Sequence, residues 1–319
     1  MPNRPISSLR TVGAFLNGRA CSDTMLYVLN RAFDRGSKPE ELAAMPFAGG
    51  IMQHGYQCGL IWGAALAAGA QAHRLHGPGP QAETRAILAS QQLVDAFRAK
   101  NTHINCLEIT DLDKSSSKLE MVTYFVIKGG TIGCLRRAAR YAHVAYEAIT
   151  EAIASDTADA CCAPVSCASV LARKMGASER HATMAAGLAG GIGLRGGACG
   201  ALGAAIWLLG LRRIQAGADK ADYEDPKAAA LIEALTTNSS AAASWDASSR
   251  ELPTTLPTCG EAAARSSSTC FAPDSRFAPQ SSCRSSGHIS RRVRPFLRSK
   301  VCNARRVRPF LRSTLAAWR

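Results

Sequence analysis

No stretch of this sequence stays apolar for the roughly 20 residues that a membrane-spanning helix needs. Ala182–Leu194 and Cys199–Leu211 each break after 13 residues, so short buried helices account for them better than a bilayer does. A re-entrant or membrane-associated hairpin is the alternative, because Arg195 alone interrupts the run from Ala182 to Leu211. The N-terminus, MPNRPISSLRTVG, has no continuous apolar core of a secretory leader, which points to the cytoplasm. Period-two alternation is scarce, the Met121–Ile127 run being ambiguous, and this argues against sheets. Aromatic residues make up only 6% of the chain, so a core built largely of Ala and Gly with few large side chains is expected. No Cys-x-x-Cys pair occurs. The glycine clusters at 187–197 lack both a preceding strand and a following Gly-Lys-Ser/Thr, and so imply close helix packing rather than a phosphate cradle.

What is present begins with a basic excess, a net charge of +14. Its distribution argues against specific nucleic-acid binding by the body. Residues 236–319 hold 14 of the 38 Lys/Arg and only 4 of the 24 Asp/Glu, leaving residues 1–235 nearly balanced. This tail is rich in Ser, Ala, Arg and Pro, and SRRVRPFLRS at 290–299 returns as ARRVRPFLRS at 304–313. It has too little apolar surface to offset the entropy of ordering it, so disorder is expected. It reads as an extension without function, with a basic arm for an anionic surface as the alternative.

The body carries an internal repeat. AGGIMQHGYQCGLIWGAALAAG at 48–69 and AGGIGLRGGACGALGAAIWLLG at 189–210 align at a constant offset of 141. Both keep Gly-Gly-Ile, then a glycine (Gly55, Gly196), then Cys-Gly (Cys58-Gly59, Cys199-Gly200), then an apolar run. Such self-similarity points to a duplicated unit. Three regions are expected: a first helical unit at 1–155, a shorter second unit at 156–235, and the tail at 236–319. The expected fold is all-α, with the two units packed face to face as an intramolecular pseudo-dimer.

Helical spacing marks Asp23–Phe33, Cys58–Arg74, Glu83–Lys100, a short helix near Cys106, and Ile132–Ala154. In the second unit it marks Cys167–Met175, a helix capped by Ser178 and running through Gly193, Cys199–Arg213 and Asp222–Leu235. Ser37-x-x-Glu40 has the form of a capping box, opening a helix towards Gln53. Trp62 and Trp207 are expected in the core.

Six cysteines fall at the heads of these inferred helices: Cys21, Cys58, Cys106, Cys134, Cys167 and Cys199. The first turn of a helix leaves N–H groups without partners and carries the positive end of the macrodipole. A thiolate is favoured there, and the thiolate is the form that attacks disulfides and binds metals. The competing account treats each cysteine as a small buried hydrophobe. A glycine-framed cysteine repeated in two copies favours the functional account. Cys161 and Cys162 are alternative partners for Cys167 or simply buried, and Cys259, Cys270, Cys283 and Cys302 in the tail match no spacing. His54 and His103 precede Cys58 and Cys106 by four and three residues, but surface or capping roles suit them better. Glu108, Asp111 and Asp113 form a solvated acidic turn.

This order of Cys21, Gly55…Cys58-Gly59…Gly63, Asn105-Cys106-Leu107-Glu108-Ile109-Thr110 and Gly129-Gly130…Cys134 resembles a bacterial and archaeal family of redox-active proteins. The family is named for its pattern: C, then GCAxxG, then C, then C. The resemblance extends over about residues 15–235 and implies a helical fold and thiol redox chemistry with an unidentified redox partner. Two departures stand out. Cys58-Gly59 is followed by Leu60 rather than alanine, and after Leu235 nothing supplies a third and fourth cysteine segment to the second unit. Under the thiol hypothesis Cys58 is the reactive thiolate, its resolving partner lies among Cys21, Cys106 and Cys134, and Cys167 with Cys199 is a second, vestigial pair. Two alternatives stand beside it. One is a metal or iron–sulfur module with Cys21, Cys58, Cys106 and Cys134 as ligands from separate helices. The other is a structural or membrane-associated helical protein with inert cysteines.

Overall fold

A computed structural model describes residues 6–17, 19–155 and 166–237. Among the described residues there are twelve α-helices and no strand: α1 (Ser8–Leu16), α2 (Cys21–Ala32), α3 (Lys38–Ala43), α4 (Gly59–His76), α5 (Pro80–Arg98), α6 (Cys106–Thr110), α7 (Lys118–Val122), α8 (Gly130–Ala154), α9 (Cys167–Lys174), α10 (Glu179–Ala186), α11 (Gly200–Gln215) and α12 (Pro226–Thr237). The all-α expectation holds. Among the described residues no helix is long and apolar enough to cross a membrane. The tail, with its four cysteines, and the Cys161-Cys162 pair lie outside the described residues.

Helix α4 is apolar on every side and is buried on nearly every side, so it is the central element. Ile61, Trp62 and Leu66 are fully buried, and the Trp62 ring stacks on Phe47 with centroids 5.0 Å apart. Two of its glycines let neighbours come close. A Cβ on Gly63 would stand 2.1 Å from the Ser22 carbonyl oxygen of α2, and one on Gly69 would stand 2.5 Å from the Met184 Cα of α10. Helix α5 packs on α4 and α8, where Tyr141 donates to the Leu93 carbonyl at 3.0 Å. It also serves the later helices: Glu83 accepts from Ser169 at 2.7 Å, and Gly187 sits directly on Ser90.

The two repeated parts engage reciprocally. Helix α3 packs on α11, while α10, at the matching position in the later part, packs on α4. Glu40, buried, pairs with Arg180 at 2.8 Å and His181 at 3.0 Å, and its carbonyl accepts from the fully buried Trp207 at 3.2 Å. These contacts explain why the capping-box expectation fails. Ser37 makes no side-chain cap. Glu40 turns inward to the basic residues of α10 instead of back to the helix head.

The helix expected to reach Gln53 stops at Ala43, and the one expected to reach Gly193 stops at Ala186. Each gives way to a short left-handed turn. Gly49, Gly50, Ile51, Met52 and Gln53 all have positive φ, as do Gly190, Gly191, Ile192, Gly193 and Leu194. Non-glycine residues resist this conformation by roughly 1–2 kcal/mol each, so the surroundings must hold it in place. Here the backbone does so. Ile51, Met52, Gln53, His54 and Gly55 donate to Phe47, Pro46, Ala48, Ile51 and Gly49. The five donors 141 residues later bond to the five acceptors 141 residues later. The likeness seen in sequence therefore extends to an uncommon backbone shape.

Two further differences concern local structure. Helix α1, capped by Ser7, had no distinct sequence signal. Met121–Ile127 closes α7 and continues as a π-helical turn over Thr123–Ile127. None of its residues is buried, and Val126 and Ile127 are among the most exposed large apolar side chains described.

Candidate functional site

Four segments place Cys21, Cys58, Cys106 and Cys134 within electrostatic reach of one another. Cys21 is the first residue of α2, Cys58 caps α4, Cys106 opens α6, and Cys134 lies just past the first turn of α8. Cys21 sits over Gly59, where a Cβ would come within 2.7 Å of its Sγ. Glycine at that position is therefore what leaves room for the sulfur. Cys106 is carried in by a short pairing of 104–107 against the chain just after the first left-handed turn. Cys58 N–H donates to the Ile104 carbonyl at 2.7 Å, and Cys106 N–H donates to the Tyr56 carbonyl at 2.7 Å. Gly55 faces Leu107 so closely that a Cβ would stand 2.7 Å from its Cβ.

The four sulfurs sense one another. A charge on Cys58, Cys106 or Cys134 raises the Cys21 thiol, and Cys58 responds to Cys106 and Cys134. Cys106 responds in turn to Cys134. Cys21, Cys58, Cys106, Cys134 and Cys199 are free thiols. Among the described residues no three Cys, His, Asp or Glu side chains stand together as a metal-holding group.

Acidified thiols were expected, and the structure corrects that. Burial is the first cause acting on Cys21, Cys58, Cys106, Cys134 and Cys199, and it acts upward. Cys21 and Cys58 are driven well above the ordinary thiol value, and Cys106 is pushed up to about 11. Backbone amides do reach the sulfurs: Gly49 N–H, from the left-handed turn, favours the Cys21 thiolate, and Leu60 N–H, in the first turn of α4, favours that of Cys58. Desolvation outweighs them, as it does for charged forms removed from water generally. Arg137 favours the thiolates of Cys58, Cys106 and Cys134 alike, but it touches only Cys134. The Arg137 guanidinium lies 4.0 Å from its Sγ and opposes the upward push. Cys58, favoured in sequence as the thiolate, is the most buried of the four, only 7% exposed.

Several surrounding groups were missed in sequence. Arg137 was within reach of inference, since a residue three positions on shares the helix face of Cys134. Tyr124 lies against Gly130 and its phenol is raised by burial and by Cys134 and Cys106. Asp23, two residues after Cys21, is fully buried, with one oxygen 3.4 Å from Arg19 and the other without a partner. Burial pushes its carboxyl up to about 7 against the pull of Arg19. Tyr223 feels both Cys21 and Asp23; nothing in sequence linked it to either.

Cys167 opens α9 and Cys199 caps α11, and they are close enough that Cys167 raises Cys199, which burial pushes up to about 11. No third or fourth cysteine joins them among the described residues. The histidines stand apart from the sulfurs, as expected. His103 is exposed and pairs with Glu108 at 3.9 Å, and His54 stacks on Tyr56. Asp113, half-buried, accepts from the Ser115 hydroxyl at 2.6 Å.

Residues 19–147 match the model of a family described as "Putative redox-active protein (C_GCAxxG_C_C)". That span takes in Cys21, Cys58, Cys106 and Cys134 and leaves out Cys167 and Cys199. No curated protein and no solved structure matches the chain.

Proposed function

We propose that the Cys21, Cys58, Cys106 and Cys134 group is a thiol–disulfide exchange centre acting on a disulfide-bearing partner. The observation that carries this reading is that four segments far apart in sequence place their cysteines within one another's electrostatic reach. The family match agrees with a redox role. Cys134 is the attacking group, because it has Arg137 to favour its thiolate, and Cys106 is its resolving partner. The Cys134 thiolate attacks one sulfur of the partner disulfide, forming a mixed disulfide and expelling one partner thiolate. Cys106 then gives up its proton, attacks Cys134 Sγ and expels the second partner thiolate. Two electrons pass from the cysteines to the partner, and two protons complete its two thiols. Cys58 and Cys21, set deeper, form a second dithiol that re-reduces the Cys106–Cys134 disulfide by the same exchange.

We read the two matching segments as copies of one unit packed as an intramolecular pseudo-dimer. The shared left-handed turn and the reciprocal packing of α3 and α10 support this. Cys167 and Cys199 are then the remnant of a second centre.

The test uses the full chain, reduced and then titrated anaerobically with glutathione disulfide, with bonds mapped by mass spectrometry. Cys106–Cys134 is expected to form first. Cys134→Ser should abolish glutathione reduction, while Cys199→Ser should leave it unchanged. Four cysteines that stay reduced and alkylate independently of one another would refute the centre.

A further inference from the structure

Away from the sulfurs, a cavity of about 320 Å³ opens between the end of α2, the second half of α4, and α10. Ala67, Ala70 and Phe33 form its apolar part, and Arg35, Arg74, Arg180 and His73 supply its polar part. Three arginines thus line a single cleft, with Arg74 Nε donating to Gln71 Oε1 at 2.8 Å. The carboxylates nearby are already engaged. Glu40 holds Arg180 and His181, Glu41 holds Asn30 and lies 3.5 Å from Arg19, and Glu179 holds Arg173. Arg35 is exposed and has no acidic partner among the described residues.

A second observation is independent of the charges. His73 Nδ1 is buried and has no hydrogen-bond partner. A buried polar atom left alone is costly, and each such atom calls for an explanation. Burial, then Arg180 and Arg35, hold its imidazole below the ordinary histidine range, with Glu179 opposing and His181 adding to the effect. An imidazole kept neutral by burial, with two guanidiniums adding to the effect, fits a cleft shaped for an absent anion. The forked N–H groups of arginine match phosphate oxygens in pairs. The volume exceeds what a bare oxyanion fills and sits at the small end of ligand pockets, which leaves room for a short organic group on the apolar side.

We propose that this cleft binds a phosphate group, held by Arg35, Arg74 and Arg180 with His73 Nδ1 as a further donor, and that its ligand is a small phosphate monoester. The site is separate from the thiol reading and stands or falls without it. A ligand bound to the folded chain alone raises its melting temperature. The experiment follows thermal unfolding of the reduced full chain at constant ionic strength, adding inorganic phosphate, glycerol 3-phosphate or chloride. Glycerol 3-phosphate should raise the melting temperature most, inorganic phosphate less, and chloride not at all. Arg35→Gln removes an exposed side chain and should melt as the parent does without ligand, yet lose most of the shift. Arg35→Lys should keep part of it. Nitrogen NMR of the ring should show His73 gaining a proton on addition of the ester. Equal shifts in the parent and Arg35→Gln, equal shifts with chloride, or no shift at all would each overturn the proposal. A shift with inorganic phosphate that the ester fails to match would overturn the monoester assignment.

Discussion

Replacing Gly63 by alanine should both destabilise the fold and disturb the cysteine group, and the structure sets the size of each effect. The new Cβ would lie 2.1 Å from the Ser22 carbonyl oxygen and 3.2 Å from the Leu26 nitrogen. Both are backbone atoms of α2, so no side chain can swing aside. Helix α2 must retreat from α4 by more than an ångström or the helices must tilt. Overpacking of this kind costs about 1–3 kcal/mol, and a backbone obstacle places it at the upper end. Alanine returns up to about 1 kcal/mol through its helix propensity. The net loss is about 2 kcal/mol, which lowers the melting temperature by about 4–8 °C for a body of this size. Cys21 is the residue before Ser22, so the same retreat moves its sulfur away from Cys58, and its alkylation should quicken. Gly13→Ala and Gly133→Ala are the controls. A Cβ at either meets nothing within 4 Å, so both variants should gain stability by up to about 1 kcal/mol. Thermal and urea unfolding of the reduced protein measure all three, and timed alkylation reads Cys21. If Gly63→Ala melts at or above the parent and Cys21 labels no faster, the close packing of α2 on α4 is wrong.

Other outcomes follow from single contacts. Gln57 is buried, donates to the Gly196 carbonyl at 2.7 Å and accepts from Ala198 N–H at 3.0 Å, so Gln57→Ala strands both groups. A cost of about 2–4 kcal/mol is expected in urea unfolding, with faster alkylation of Cys199; a neutral variant would show that water or a shifted turn satisfies them. Stability should also fall with rising pH in two windows. Asp23 keeps its proton when folded up to about 7, and Cys106 to about 11, whereas the unfolded chain releases them near 3.8 and 9.0. Between each pair of values the folded state binds more protons, so its advantage shrinks as pH rises. Asp23→Asn should flatten the lower window, and Cys106→Ser should shrink the upper one, to which the other buried thiols also contribute; stability that climbs through either would contradict the burial of these groups.

Much of the helical framework was legible because the apolar spacing of α2, α4, α5, α8 and α11 belongs to local chemistry. The helix-head placement of Cys21, Cys58, Cys106, Cys167 and Cys199 was legible for the same reason, while Cys134, expected at a helix head, lies past the first turn of α8. Two things were not. The left-handed turns hide behind side chains that oppose them: Ile51, Met52 and Gln53 carry no preference for positive φ, and Gly49-Gly50 reads equally well as a helix end. Backbone bonds reaching back as far as Pro46 hold the turn, and no window of propensity sees them. Nor did position at a helix head foretell thiol ionisation. The amides of Gly49 and Leu60 act in the expected direction, but the depth of Cys21 and Cys58 depends on α4, α8 and the later helices closing over them. Glu40 failed as a cap for the same kind of reason, since its partners Arg180 and His181 lie 140 and 141 residues away.

The two left-handed turns also explain why their cysteines end in unequal company. After the first turn, the Gly55 carbonyl accepts from Leu107 N–H, and that pairing is what delivers Cys106 to the group. After the second, the carbonyl at the matching position, Gly196, accepts instead from the side chain of Gln57. A Cβ on Gly197 would collide with the Gln57 amide, so the place is filled as well as bonded. A side chain satisfies the backbone as well as a chain segment does, but it brings no thiol with it. The later part of the protein can therefore keep the turn, the glycines and the Cys167–Cys199 pair while having no position from which a third sulfur could enter. On this argument the second pair is limited by where Gln57 sits rather than by any change in the cysteines themselves.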